Sequence, residues 1–210
     1  MGDNMSKCLQ VCERRCNTNF LKHNYEIVVL LIIFLFGLIV GTFSVAVCKD
    51  ESFYGLDNYL LEYLSYLKLN GFITIFSKYL LIFVLLIIFN FLIGMCLLGK
   101  SILCFFAFVY SFGIGSVVSF VYMKYDLQGV LFTVFCLALG IFLFSINYLL
   151  SLRNSIVFSK SICQYCFFGN ESKVDIKKYV LKYLVHIILC VFIAIVFAFN
   201  TGSFIERFNF

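Results

Sequence analysis

Residues 79–123 read YLLIFVLLIIFNFLIGMCLLGKSILCFFAFVYSFGIGSVVSFVYM, two apolar runs separated only by Gly99-Lys100. A membrane-spanning helix needs roughly 20 mostly apolar residues, and each run meets that length. A two-residue link forces the two helices to lie antiparallel. The runs are continuously apolar instead of alternating, so helices and not barrel strands are expected. Working outward, three further stretches qualify, at 27–48, 127–150 and 180–199, with Lys124-Tyr125-Asp126 as the short link between spans three and four. The sequence therefore predicts an all-α polytopic integral membrane helix bundle with five transmembrane helices, occupying residues 27–199. A tail over 1–26 precedes it and a short tail over 200–210 follows it. Residues 50–77 form an outer segment and residues 151–179 an inner loop.

Composition points the same way. Of the chain, 63% is hydrophobic and only 13% charged, against about a quarter charged in soluble domains. A soluble fold of this size leaves too much surface exposed to hide so many apolar side chains, so the lipid bilayer is the expected partner. The net charge of +5 could signal nucleic acid, but no basic stripe with interleaved aromatics lies outside the spans. No nucleic-acid partner is expected. The surplus instead reports topology. Lys7, Arg14, Arg15 and Lys22 in the tail, then Lys100, Arg153, Lys160, Lys173, Lys177, Lys178 and Lys182, fall on one side. Lys49, Lys68, Lys78, Lys124 and Arg207 fall on the other. This bias of about two to one places the N-terminus in the cytoplasm and the C-terminus outside the cell membrane. The polar stretch Met1–Tyr25 precedes an apolar run too long for a signal-peptide core, so it is expected to be a tail and not a cleaved leader.

In the outer segment Tyr59, Leu60, Tyr63, Leu64 and Leu67 recur at helical spacing, with Asp57, Glu62, Ser65 and Lys68 elsewhere on the wheel. Such a helix lies along the membrane surface or caps the bundle. Tyr59, Tyr63 and Leu67 are the residues it offers for docking a partner.

Within lipid, helices associate through small residues that let backbones approach. Span one carries Gly37 and Gly41 at GxxxG spacing. Span three carries Ala107, Ser111, Gly115 and Ser119, four residues apart throughout. These six are the expected helix-packing positions, whether within one chain or between copies in a homo-oligomer. No span has an Asp, Glu, Lys or Arg in its interior; Asn90, Ser145, Asn147 and His186 are the polar exceptions. Buried ionisable residues mark coupled transport, and their scarcity argues against it.

Ten cysteines remain. Cys8, Cys12 and Cys16 stand four apart in the tail, and Cys163-Gln-Tyr-Cys166 forms a CxxC before span five. Cys8, Cys12, Cys163 and Cys166 could together supply four thiolates to zinc. The i, i+4 spacing in the tail suits a structural zinc site poorly, so neither metal nor cofactor is expected. The CxxC falls on the reducing side, which disfavours thiol–disulfide chemistry. Acylation of the tail cysteines is a further alternative. With no phosphate-cradling glycine loop and no HExxH, the chain reads as no enzyme.

In order, these features resemble the stage II sporulation protein M family of bacterial multi-pass membrane proteins. The likeness is carried by Phe36-Gly37-Leu38-Ile39-Val40-Gly41 in the first span and Lys78-Tyr79-Leu80 leading into the second. Ile93-Gly94, Lys100, Ser111-Phe112-Gly113-Ile114-Gly115 and Gly129 continue it. The resemblance implies a non-enzymatic scaffold that anchors peptidoglycan hydrolases, a lytic transglycosylase and an amidase, during engulfment in sporulation. A membrane permease or the transmembrane subunit of a transporter is the alternative. The orientation is checked by thiol labelling of intact cells and inverted vesicles: Cys163 and Cys166 are expected to react from the cytoplasmic side only. Labelling from outside would reverse the assignment.

Overall fold

The computed structural model describes the backbone of residues 2–47, 71–168 and 175–205, with Glu62 and Ser65 between the first two stretches. Side chains are described from Tyr25 onward within these ranges, except at 126–129, 132, 135–136, 167–168 and 204–205. The chain is an all-α membrane bundle. Its elements are α1 (Gly2–Val47), α2 (Phe72–Gly94), α3 (Gly99–Phe132), a π-helical stretch Thr133–Ala138, α4 (Leu139–Phe168) and α5 (Ile176–Ile205). Each α-helix contains a segment long and apolar enough to cross a membrane: Tyr25–Val47, Phe72–Gly94, Gly99–Tyr125, Leu139–Cys166 and Ile176–Ser203. Many of these residues are β-branched or aromatic and are poor helix formers in water. In hydrocarbon, helix formation is enforced because every backbone N–H and C=O must be satisfied within the segment. The absence of proline leaves no position without a donor.

Several expected boundaries are corrected. Span two begins at Phe72 and ends at Gly94, not 79–98, because Phe72–Phe76 extends the apolar run. The link to α3 is therefore Met95–Leu98, closed by Cys96 N–H to the Ile93 carbonyl (2.9 Å) and Gly99 N–H to the Cys96 carbonyl (3.0 Å). Gly99-Lys100, expected as the link, opens α3 instead. Lys124-Tyr125-Asp126 is not a turn; the helical assignment runs through it to Phe132. The chain nevertheless reverses, since the Tyr110 hydroxyl lies 3.4 Å from that of Ser145, 35 residues on. An unbroken straight helix would hold them about 50 Å apart.

The largest correction concerns span four. The apolar pattern places it at 127–150, followed by a loop over 151–179; the spanning segment is instead 139–166 and the helix continues to Phe168. Ser151, Asn154, Ser155, Ser159 and Lys160 make this stretch look too polar for lipid. Their polar atoms are satisfied locally or by neighbours, as with Ser151 Oγ on the Tyr148 carbonyl (2.8 Å) and Ser155 Oγ near that of Ser151 (3.1 Å). The helix therefore persists. The C-terminal tail expected from residue 200 is likewise helical as far as Ile205.

Helices α1 and α3 run parallel. Phe34 packs on Tyr110, Leu38 faces Gly115, and the Ser119 hydroxyl donates to the Thr42 carbonyl (3.3 Å). Helix α2 lies against α4 and α5, with Phe83 stacked on Phe144 (centroids 4.0 Å apart) and Tyr79 tilted against Phe197 (4.2 Å). Tyr110 joins the two halves by packing on Phe144 and Tyr148.

The α1–α3 contact is close because small side chains line it. A Cβ on Gly37 would meet the Ser111 side chain and the Phe108 carbonyl, one on Gly41 the Phe112 carbonyl, and one on Gly115 the Leu38 carbonyl at 2.5 Å. Ala107 and Ser111 are fully buried. Gly113 has open space where its Cβ would be. Gly115→Leu is therefore expected to part the two helices and cost at least about 1–3 kcal/mol, read as a lowered thermal midpoint in detergent. Gly113→Leu is expected to leave it within error. Equal effects of the two would remove the close approach as the cause.

Candidate functional site

The buried polar groups gather between α2, α4 and α5. On α4, Asn147, Ser151, Ser155 and Ser159 recur every four residues and so line one face. Tyr179, Tyr183, His186 and Cys190 do the same on α5 at spacings of four, three and four. Helix α2 contributes Asn90. All nine are buried, and Ser151 and Ser155 fully so.

At the centre, the Asn90 side-chain amide donates to Ser151 Oγ (3.0 Å). Around it three hydroxyls meet three main-chain carbonyls. Ser155 donates to Asn90 (3.0 Å), Tyr179 to Phe91 (3.1 Å) and Tyr183 to Ser151 (3.0 Å). Each carbonyl has a second lone pair beyond its helical bond, so the hydroxyls complete the helices instead of breaking them. The Ser155 oxygen also lies 3.3 Å from the Tyr179 hydroxyl and in close contact with that of Tyr183. One small side chain thus touches all three helices.

Toward the bundle centre the network fixes a histidine tautomer. The Asn147 amide nitrogen donates to the His186 carbonyl (3.2 Å) and to Cys190 Sγ (3.3 Å). Its oxygen is therefore the acceptor facing His186 Nδ1 at 2.7 Å, and Nδ1 carries the proton. Nε2 is then free to accept from the Asn154 amide at 2.9 Å. Both ring nitrogens of the neutral imidazole are matched. His186 bonds amides and no serine, so the seam contains no Ser–His nucleophile pair.

Helix α4 also reaches the remaining elements. Ser159 donates to the Cys96 carbonyl in the α2–α3 link (2.9 Å), Ser145 meets Tyr110 of α3, and Lys160 pairs with Glu26 of α1. What this arrangement does chemically is hold five helices in one register. Among the described residues no group of three His, Cys, Asp or Glu could hold a metal ion.

The sequence-derived candidates are placed as follows. Gly37, Gly41, Ser111, Gly115 and Ser119 come together at the α1–α3 contact, away from the polar seam, and Ala107, one turn before Ser111, is fully buried. Cys163 and Cys166 are free thiols on the last turns of α4, half-buried and exposed respectively, and not in a loop knuckle. Cys8 and Cys12 belong to the helical backbone of α1, with side chains outside the described residues. Tyr59, Tyr63 and Leu67 also lie outside the described residues. Ser151, Asn154, Ser155, Ser159, Tyr179 and Tyr183 were not singled out from the sequence. The four-residue recurrence 147, 151, 155, 159, the same signal that marked the small-residue row of α3, would have found half of them.

Replacing Asn147 by Leu leaves His186 Nδ1–H unmatched, and a cost of about 1–3 kcal/mol is expected. In a double-mutant cycle of Asn147→Leu with His186→Leu, measured by unfolding in micelles, a coupling of about 0.6 and up to about 1.7 kcal/mol is expected. Additive effects would dissolve the pair. Comparison with known protein families, with curated proteins and with solved structures finds no match to this chain.

Proposed function

We propose that this chain is a non-enzymatic scaffold of the cell membrane, with a cytoplasmic N-terminus and an extracytoplasmic C-terminus, that recruits cell-wall-remodelling partners. The observation that carries the proposal is the use made of the polar groups in the bundle. Asn90, Asn147, Ser151, Ser155, Tyr183 and His186 are bonded to one another or to neighbouring carbonyls. Groups arranged this way stiffen a frame; a solute pathway needs polar atoms left open to what passes. The orientation is supported by the lysine and arginine distribution between the two ends.

Recruitment falls to the outer segment, in whose sequence Tyr59, Tyr63 and Leu67 recur at helical spacing. The partners the sequence resemblance implies are peptidoglycan hydrolases, a lytic transglycosylase and an amidase, which would supply all the chemistry. Affinity purification of the full chain from membranes, in mild detergent, is expected to bring down such hydrolases. The triple variant Tyr59→Glu, Tyr63→Glu, Leu67→Glu is expected to lose them while keeping its elution position on gel filtration. Recovery of a cytoplasmic ATPase in place of hydrolases would overturn the scaffold reading in favour of a transporter subunit.

A further inference from the structure

At the end of the bundle that carries Glu26, the exposed charged side chains are mostly cationic. Lys100 opens α3, Lys177 and Lys178 stand in the first turn of α5, and Lys182 follows one turn later. Lys178 and Lys182 are four residues apart and share a face of α5. No carboxylate of the described residues pairs with either of them. The nearest acid in sequence, Asp175, accepts the Lys178 main-chain N–H at 3.1 Å. Like charges one turn apart repel, and among the described residues no side-chain ion pair of either lysine offsets it.

The same face continues below the lysines as Val185, Leu189 and Phe192, all exposed. From Lys182 to Phe192 the helix descends about 15 Å, half of the roughly 30 Å hydrocarbon core. The neighbouring face of α5 is turned to α2 and α4 and carries Tyr179, Tyr183, His186 and Phe197. The free stripe therefore has two cations at headgroup level and an apolar track as deep as one leaflet.

We propose that this stripe binds an acidic phospholipid, its phosphate between the Lys178 and Lys182 ammonium groups and an acyl chain along Val185, Leu189 and Phe192. Charge complementarity selects the headgroup, and the depth of the track selects a lipid over a free anion. The bound phosphate removes the repulsion between the two lysines and anchors α5 at its first turns.

The test is titration of the full chain in neutral detergent with phosphatidylglycerol and, separately, phosphatidylcholine, with bound lipid counted by native mass spectrometry. Phosphatidylglycerol is expected to bind in preference. The double variant Lys178→Gln, Lys182→Gln is expected to lose about thirtyfold of that affinity, as two lysine contacts are removed. Lys178→Arg, Lys182→Arg is expected to retain it. Equal binding of the two lipids, or undiminished phosphatidylglycerol binding by the glutamine variant, would overturn the site. Displacement of the lipid by inorganic phosphate alone would overturn the choice of a lipid over a free anion. Because both lysines are exposed, unchanged phosphatidylcholine binding by the glutamine variant serves as the folding control.

Discussion

Hydrocarbon offers no hydrogen-bond partners, and that constraint is met in this protein chiefly through one helix. Helix α4 carries a stripe of serines and asparagines whose atoms are satisfied by the carbonyls, amides and hydroxyls of its neighbours. Ser155 is the clearest case, a single hydroxyl in contact with α2 through Asn90 and with α5 through Tyr179 and Tyr183. Because α4 also reaches α1 through Lys160 and α3 through Ser145, the placement of every other span is referred to it. Individually such bonds are modest within a membrane, about 0.6 kcal/mol on average. Their effect comes from number and from shared atoms, which leave few alternative registers in which all of them are made.

The α1–α3 pair is held differently. There the backbones themselves approach, with Gly37, Gly41 and Gly115 leaving room for the facing carbonyls, and the stabilisation is dispersion across a close contact. The hydroxyl bonds from Ser116 and Ser119 to the carbonyls of Gly41 and Thr42, both 3.3 Å, are long and secondary. One molecule thus uses both routes open to helices in lipid: packing of small residues where the surfaces are bland, and a polar network where three helices meet.

These two routes differ in how far they can be read from sequence. Apolar runs give the class and number of spans directly, because crossing a bilayer is a requirement on consecutive residues. The glycine and serine rows of α1 and α3 are equally visible, since a four-residue recurrence of small residues is a local pattern. Span four is not legible in this way, for the opposite reason. Hydropathy scores Ser151, Asn154, Ser155 and Ser159 as if they faced water, whereas their environment is set by Asn90, Cys96, Tyr179, Tyr183 and His186, which are distant in sequence. Lys124-Tyr125-Asp126 is read as a link for a similar reason, because charged residues at a membrane boundary are compatible with continued helix. Polarity in a span is a statement about neighbours, and neighbours are what a single sequence read in windows omits.

The parallel pairing of α1 with α3, and the bond from Asn90 to Ser151, have a consequence for the order in which the protein can be assembled during synthesis. Helix α1 enters the bilayer two spans before its partner exists. It tolerates the wait, since Thr42 and Ser44 donate to carbonyls of their own helix, at Ile39 and Gly41, and its glycines expose nothing polar beyond a helical backbone. Helix α2 is in a different position. Its Asn90 amide finds its acceptor 61 residues later in the chain, on a helix not yet made when α2 is ready to leave the insertion machinery. Until α4 arrives, that amide lacks the acceptor it has in the folded bundle. Making the fourth span therefore completes, in one step, the polar seam that α2 begins.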